Sequence, residues 1–208
     1  MAVIVVGGNS RNVGKTSVVA SIIASLPEFH WTAFKITQYG HGFCTADGKP
    51  CQCQTEDSCV SISAERDPAS GTDTSRFLAA GAARSIWVRT RIGMLADAIP
   101  RIREELAAAE NAILESNSIL DFIDPDLYLT VVGPGITDFK DSARRLLARA
   151  DALLISSAQQ GGAADALPLP EALDGKPRFH VGPPDYRSDA VAAFVREHMI
   201  ADRQRCET

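Results

Sequence analysis

A mostly parallel β-sheet with helices on both faces is the fold class this sequence predicts, and two observations predict it. Short β-branched apolar runs alternate with helical stretches along most of the chain, the pattern of strands joined by crossover helices. The first run, Ala2–Val6, passes through a Gly- and Asn-rich turn directly into a helix. That junction places a loop at the carboxyl end of a strand, where ligands bind in such sheets.

The elements follow in order. Ala2–Val6 reads as a buried strand ending at Gly7 and Gly8, with Ser17–Ile23 in the helix behind it. Trp31–Ile36, aromatic and β-branched, is a second strand after the break at Pro27. Residues 40–71 have no sustained period and are dense in Gly, Cys, Asp, Ser and Gln. A connection that long is functional or mobile, and it reads as a cysteine-rich insert in a single domain covering 1–208. Asp73–Gly81 is expected to be helical and Arg84–Arg89 a strand. In Met94–Ala109, Leu95, Ile99, Ile102 and Leu106 recur at helical spacing, and Pro100 predicts a kink or break. Asn111–Glu115 is a short apolar strand ending in an acid, and Leu127–Val132 is another, stopped by Gly133, Pro134 and Gly135. A helix over Lys140–Ala150, a buried strand at Ala152–Ile155, a surface linker at Gly161–Pro170, a last strand at Arg178–Val181 and a closing helix at Ser188–Met199 complete the reading.

Asn9, Ser10, Arg11, Asn12, Val13, Gly14, Lys15 and Thr16 fill the first strand–helix junction, with Ser17 opening the helix. This is the composition of a phosphate-binding loop. Backbone N–H groups at the helix start would face the β- and γ-phosphates of a nucleotide, helped by the helix dipole. Lys15 would add a cation there, and the Thr16 hydroxyl would ligate Mg²⁺. The usual pattern has Gly six residues before the lysine, where this chain has Asn9. Asn tolerates a left-handed backbone, so Asn9 is expected to close the loop by adopting one. The plainer alternative is a turn with an exposed lysine, against which the flanking strand and helix weigh.

A phosphate loop needs an acid at a neighbouring strand end to hold Mg²⁺, usually through water. Glu115 is the candidate, the competing reading being a helix-capping role with Ser116 or Ser118. Lys35 is read as ending the second strand, where it contacts an anionic substrate or phosphate, or is simply solvated. His41, between Gly40 and Gly42, is a metal ligand, a general base or a plain loop residue.

Four of the five cysteines, Cys44, Cys51, Cys53 and Cys59, fall within sixteen residues as C-x6-C-x-C-x5-C. Four thiolates match the ligand count of a structural Zn²⁺ site or an iron–sulfur cluster, and ligation would supply folding free energy to a polar loop. A redox pair or free thiols are the alternatives.

With 208 residues, 45% hydrophobic and a net charge of −5, the composition is that of an ordinary globular domain. It gives no overall electrostatic pull toward nucleic acid or an anionic membrane. No stretch approaches the ~18 apolar residues of a membrane span. The first apolar run has no preceding basic residue and no cleavage pattern, so it reads as a core strand rather than a signal peptide. The cytoplasm is the expected location.

The phosphate loop, Lys35, the segment Gly71–Arg76 followed by Ala80, Gly81 and Ala82, and the strand ending in Glu115 come in an order that resembles the MobB family, the molybdopterin-guanine dinucleotide biosynthesis protein B, over roughly the first 120 residues. The resemblance implies a three-layer P-loop NTPase fold and a GTP-binding, weakly hydrolysing accessory protein that can dimerise and acts with a partner in cofactor assembly. Thr72 stands where the family has lysine, Ile36 and Thr37 replace the histidine that follows the strand lysine, and Ser116 replaces the glycine after the acid. The cysteine segment is an addition. The D-x-x-G and N-K-x-D motifs of translation-type GTPases are absent from the sequence, so GTP and ATP both stay open.

The leading expectation is a P-loop NTPase whose Lys15 and Mg²⁺ stabilise charge on the transferring phosphoryl group. Asp73 and His41 are the candidates for positioning the attacking water, and slow turnover follows from the lack of an obvious base or arginine finger. A small-molecule kinase or ligase, with Lys35, Arg76 and Arg84 clamping an anionic acceptor, is the second class. A metal- or redox-sensing module built on the cysteines is the third.

Overall fold

The computed structural model describes residues 1–10, 12–40, 59–133, 146–157 and 175–206. Eight strands form one sheet: β1 (Val3–Gly8), β2 (Trp31–Tyr39), β3 (Val60–Ala64), β4 (Arg84–Arg91), β5 (Asn111–Glu115), β6 (Leu127–Val132), β7 (Ala152–Ser156) and β8 (Arg178–Val181). Their order is β3-β4-β2-β5-β1-β6-β7-β8, and every neighbouring pair is parallel except β3 with β4. Helices α1 (Lys15–Ser25), α2 (Asp73–Ala79), α3 (Leu95–Ala107) and α4 (Asp189–Cys206) are placed on the two faces.

The layering follows from strand alternation. On one face Ile4, Val6, Ala33, Ile113, Leu129 and Leu154 pack with Val18, Ile22 and Ile23 of α1, Phe77 of α2 and Val191 and Val195 of α4. On the other, Val3, Val5, Phe34, Ile86, Val88 and Leu114 pack with Leu95, Ile99, Ile102 and Leu106 of α3. Central strands buried on both sides read as unbroken apolar runs, and β1, β5 and β6 are buried throughout. Each fully buried Leu, Ile or Val contributes roughly 1.5–3 kcal/mol.

Three expectations about elements need correction. Residues 60–64, inside the aperiodic stretch, form the edge strand β3. Pro100 does not break α3, which runs unbroken from Leu95 to Ala107. The proline forfeits one intrahelical hydrogen bond, and burial of Ile99 and Ile102 beside it offsets that loss. β2 does not end near Lys35 but continues to Tyr39. Lys35 lies opposite Glu115, the last residue of β5, so residues 36–39 extend past β5 and pair with β4. Most of the helix expected over 140–150, and the linker expected over 161–170, lie outside the described residues.

β1 sits between β5 and β6. The chain leaves β1 through α1 for β2 and returns through β5, so the loop after β1 opens beside the carboxyl ends of β5 and β2. That is where an open α/β sheet forms a crevice.

Candidate functional site

β1 delivers the loop, and β6 anchors it. The Asn9 amide donates to the Val131 carbonyl at 3.1 Å, and the Gly133 amide donates to Asn9 Oδ1 at 3.2 Å. Asn9 is fully buried and is not among the residues with positive φ. The left-handed positions are Asn12 (φ 59°) and Gly14 (φ 97°), which corrects the expectation for Asn9. Asn9 uses its side chain to stitch the loop to the neighbouring strand, and the tight turn is made three to five residues later.

Gly7 and Gly8 permit two close approaches. A Cβ at Gly7 would fall 2.2 Å from Asn117 Oδ1, and one at Gly8 3.0 Å from the Lys15 stem. Asn117 brackets Gly8, accepting from its amide and donating to its carbonyl, both at 2.8 Å. Gly14 caps α1 without a side-chain acceptor, and the first turn of α1 carries no acid. A helix N-terminus of that kind suits an external anion. Lys15 Nζ donates to the Ser10 carbonyl at 2.6 Å, drawing the lysine across the loop. The Tyr186 ring presses on Gly14, where a Cβ would lie 2.3 Å from its Cε1. Val13 is buried beneath the loop. Arg11 lies outside the described residues.

The polar corner beside the loop is built from three elements. Thr16 Oγ1, at the start of α1, donates to Glu115 Oε2 at 2.8 Å. Lys35 Nζ lies 2.5 Å from Glu115 Oε1, 3.1 Å from Thr16 Oγ1 and 2.8 Å from Asp73 Oδ2. The strand register sets Lys35 beside Glu115, and α2 brings Asp73 as its first residue. The side chains of Glu115 and Lys35 are only 3% and 18% exposed. Burial pushes the Lys35 ammonium down, but the Glu115 and Asp73 carboxylates outweigh it and hold the ammonium above its usual range. Arg76, one turn further along α2, donates to Ser17 Oγ at 2.8 Å and lies 4.0 Å from Asp73.

The donor set fits a divalent cation. Thr16 Oγ1 and Glu115 Oε2 are hard oxygen donors that already converge, and a cation, the Lys35 ammonium, lies against both side chains.

α2 is held at its own start. The Thr72 hydroxyl accepts from the Ser75 amide at 3.0 Å. The Glu65 carboxylate accepts from Thr72 Oγ1 at 2.8 Å, Ser70 Oγ at 3.0 Å and the Asp67 and Arg66 amides. Those donors, the Asp67 amide foremost, lower the Glu65 carboxyl to about 2.

Other expected residues fall elsewhere. Arg84 opens β4 opposite Thr32, at the far end of the strand from the loop, and pairs with Glu105 at 2.6 Å. It therefore does not share an anion clamp with Lys35 and Arg76. His41, Cys44, Cys51 and Cys53 lie outside the described residues, and Cys59 is exposed. Among the described residues, no helix is long and apolar enough to cross a membrane. Asn117 and Tyr186 are the site residues that sequence reasoning missed. Position two beyond the strand-end acid was a signal for Asn117; Tyr186 had none, since only the fold brings it to the loop.

A loop from a central parallel strand into its helix, turned at Gly14 and followed by Lys15 and Thr16, in a sheet covered by helices on both faces, gives the α/β three-layer fold of P-loop NTPases. Two solved structures are similar in fold. LpxK from Aquifex aeolicus, in complex with ATP, superposes with a TM-score of 0.51 at 18% identity, over 86% of this chain and 53% of that one. HypB from Helicobacter pylori, in complex with nickel, gives a TM-score of 0.51 at 13% identity, over 96% of this chain and 87% of that one. The chain thus spans about half the length of LpxK. No family model matches the chain, and no curated protein matches it by sequence. At these identities the likeness establishes the fold and nothing narrower.

Proposed function

We propose that this protein binds a nucleoside triphosphate, GTP or ATP, with Mg²⁺ at the loop Asn9–Ser17, and hydrolyses it slowly as a cytoplasmic accessory protein in metallocofactor biosynthesis. The observation that carries the reading is the convergence of Thr16, Glu115 and Lys35 beside Lys15 and the first turn of α1. That LpxK holds ATP on a similar fold supports the triphosphate. The order of the loop, Lys35, the 71–76 segment and Glu115 supports the cofactor role, with molybdenum cofactor assembly the specific case and an assembly protein as partner. A second copy of the chain is the simplest further partner; nucleic acid and membrane are not.

Thr16 and Glu115 are the residues that would hold Mg²⁺, which when bound neutralises charge on the phosphate oxygens. Lys15 would pair with the same phosphates, and the α1 amides would orient them. Lys35, relieved of Glu115, would keep Asp73, its other partner at 2.8 Å. Asp73, paired with Lys35, would position the attacking water. The cysteines, Cys59 with Cys44, Cys51 and Cys53, would bind zinc or an iron–sulfur cluster, the metal-handling part of the same role.

Isothermal titration of GTP and ATP into wild type and Glu115→Gln, with and without Mg²⁺, tests the reading. The variant should bind Mg-nucleotide at least about ten-fold more weakly, while Mg-free affinity stays within about two-fold; a loss near 1.4 kcal/mol is what one charged ligand oxygen supplies. Equal Mg²⁺ dependence in both proteins would refute the site.

A further inference from the structure

The face of the sheet that carries Glu115 does not end at Lys35. Strand register continues it outward: Lys35 lies beside Trp87 and Trp87 beside Ser63, while Thr37 lies beside Arg89 and Arg89 beside Ser61. These six side chains share one face of β2, β4 and β3, because residues two apart on a strand point the same way. On the opposite face the same strands carry Phe34, Ile36, Ile86 and Val88, with Val60 and Ile62 packed against them under α3. The polar run from Glu115 to Ser61 thus lies on the side of the phosphate loop, while the face under α3 is mainly apolar. A strand spacing of about 5 Å and a two-residue step of about 7 Å set Arg89 one diagonal step from Lys35.

Arg89 is held in a specific pose. Its guanidinium carbon lies 4.6 Å from the centre of the Trp87 ring, and its terminal nitrogen donates to Ser61 Oγ at 3.2 Å. Trp87 is fixed in turn by donating Nε1–H to Thr37 Oγ1 at 3.1 Å. The Nε–H of Arg89 is buried and, among the described residues, has no hydrogen-bond partner. Among the described residues no carboxylate lies within ion-pair distance of Arg89, and its cross-strand neighbours, Thr37 and Ser61, are neutral hydroxyls. A guanidinium that only fastened β3 to β4 would be expected to satisfy all its donors, since a buried charged donor without an acceptor is costly. A planar fork, oriented by an aromatic ring and short of an anion, is instead what recognition of a carboxylate or phosphate requires.

We infer that this shelf is a second ligand site, in which Arg89, stacked on Trp87 and flanked by Ser61 and Thr37, binds the carboxylate or phosphate of a small molecule lying next to the nucleotide. The inference extends the proposed function by assigning the class of its second ligand, and rests on that reading only for what occupies the neighbouring loop. The stacking of Arg89 on Trp87 fixes the fork before a ligand arrives, which reduces the ordering cost of binding.

Phenyl phosphate and benzoate, titrated separately while tryptophan fluorescence is followed, test the assignment and separate phosphate from carboxylate. The titrations are run with the loop filled by a non-hydrolysable Mg-ATP analogue, and repeated in Lys15→Ala. Trp31 is fully buried in the core, so a ligand-dependent change reports Trp87. At least one probe should give a saturable change in wild type and in Lys15→Ala. Arg89→Lys, which keeps the charge but loses the fork, should weaken it by about ten-fold or more, and Arg89→Met should abolish it. Mg-nucleotide affinity should stay within two-fold in both Arg89 variants, which also shows that they are folded. No saturable change with either probe would overturn the site. So would affinity unchanged in a folded Arg89→Lys, or probe binding that follows Lys15 rather than Arg89. Failure of the nucleotide reading is separate: Lys15→Ala would then leave nucleotide affinity intact, whatever the Arg89 variants do.

Discussion

Lys35 carries two carboxylates at once, Glu115 at 2.5 Å and Asp73 at 2.8 Å, in a corner where Glu115 is almost fully buried. Removing the ammonium strands that buried charge, which costs about 3 kcal/mol. Thermal or urea unfolding of Lys35→Met should show a loss of that size near neutral pH. The pH dependence follows from the sign of the shift. The Lys35 pKa is raised above its ordinary 10.5, so its stabilising contribution is complete below that value and disappears as pH climbs through the higher folded value. Wild-type stability should therefore fall more steeply above about pH 10.5 than that of Lys35→Met; parallel curves would show that the ion pairs do not hold the corner. At this scale the residue types of the loop were legible from the sequence, and so was the strand-end acid. The role of Asn9 was not, because its partners are Val131 and Gly133, more than a hundred residues away.

At the scale of elements, the length of β2 and the placement of α2 make the site. β2 outruns β5 by four residues, 36–39, which carries the polar face outward past Glu115. α2 brings Asp73 and Arg76 in, and Phe77 fixes the helix to the sheet with no exposed surface. Phe77→Ala should cost about 3–5 kcal/mol by calorimetry and loosen the Asp73 contact with Lys35. Retention of wild-type stability would mean that α2 is held by its polar contacts, Asp73 with Lys35, Arg76 with Ser17 and Thr72 with Glu65, rather than by Phe77. Helices and central strands were readable because apolar periods of 3.6 or continuous apolar runs mark them. β3 was not, because its alternation of Val60, Ser61, Ile62, Ser63 and Ala64 is five residues long and follows an aperiodic stretch. Its identity as a strand depends on the distant β4. The end of β2 was misjudged for a related reason: Thr37, Gln38 and Tyr39 are polar or amphipathic and pair on one side with β4.

For the whole molecule, the sheet order places the candidate site more than any single residue does. With β5 and β6 flanking β1, the acid of β5, the lysine of β2 and the anchoring carbonyl of β6 all reach one loop. The alternation of strands and helices predicted that arrangement in class, while the strand order itself and the arrival of Tyr186 at Gly14 are tertiary facts with no local signature. The proposed function requires that this loop hold a triphosphate. Calorimetric titration of Mg-GTP and Mg-ATP into wild type and Lys15→Ala tests it most directly. Saturable one-to-one binding of at least one nucleotide to wild type, weakened by about a hundred-fold or more in the variant, a loss of about 2.7 kcal/mol or more, is the predicted result. Undiminished binding to Lys15→Ala, or none to either protein, would contradict it.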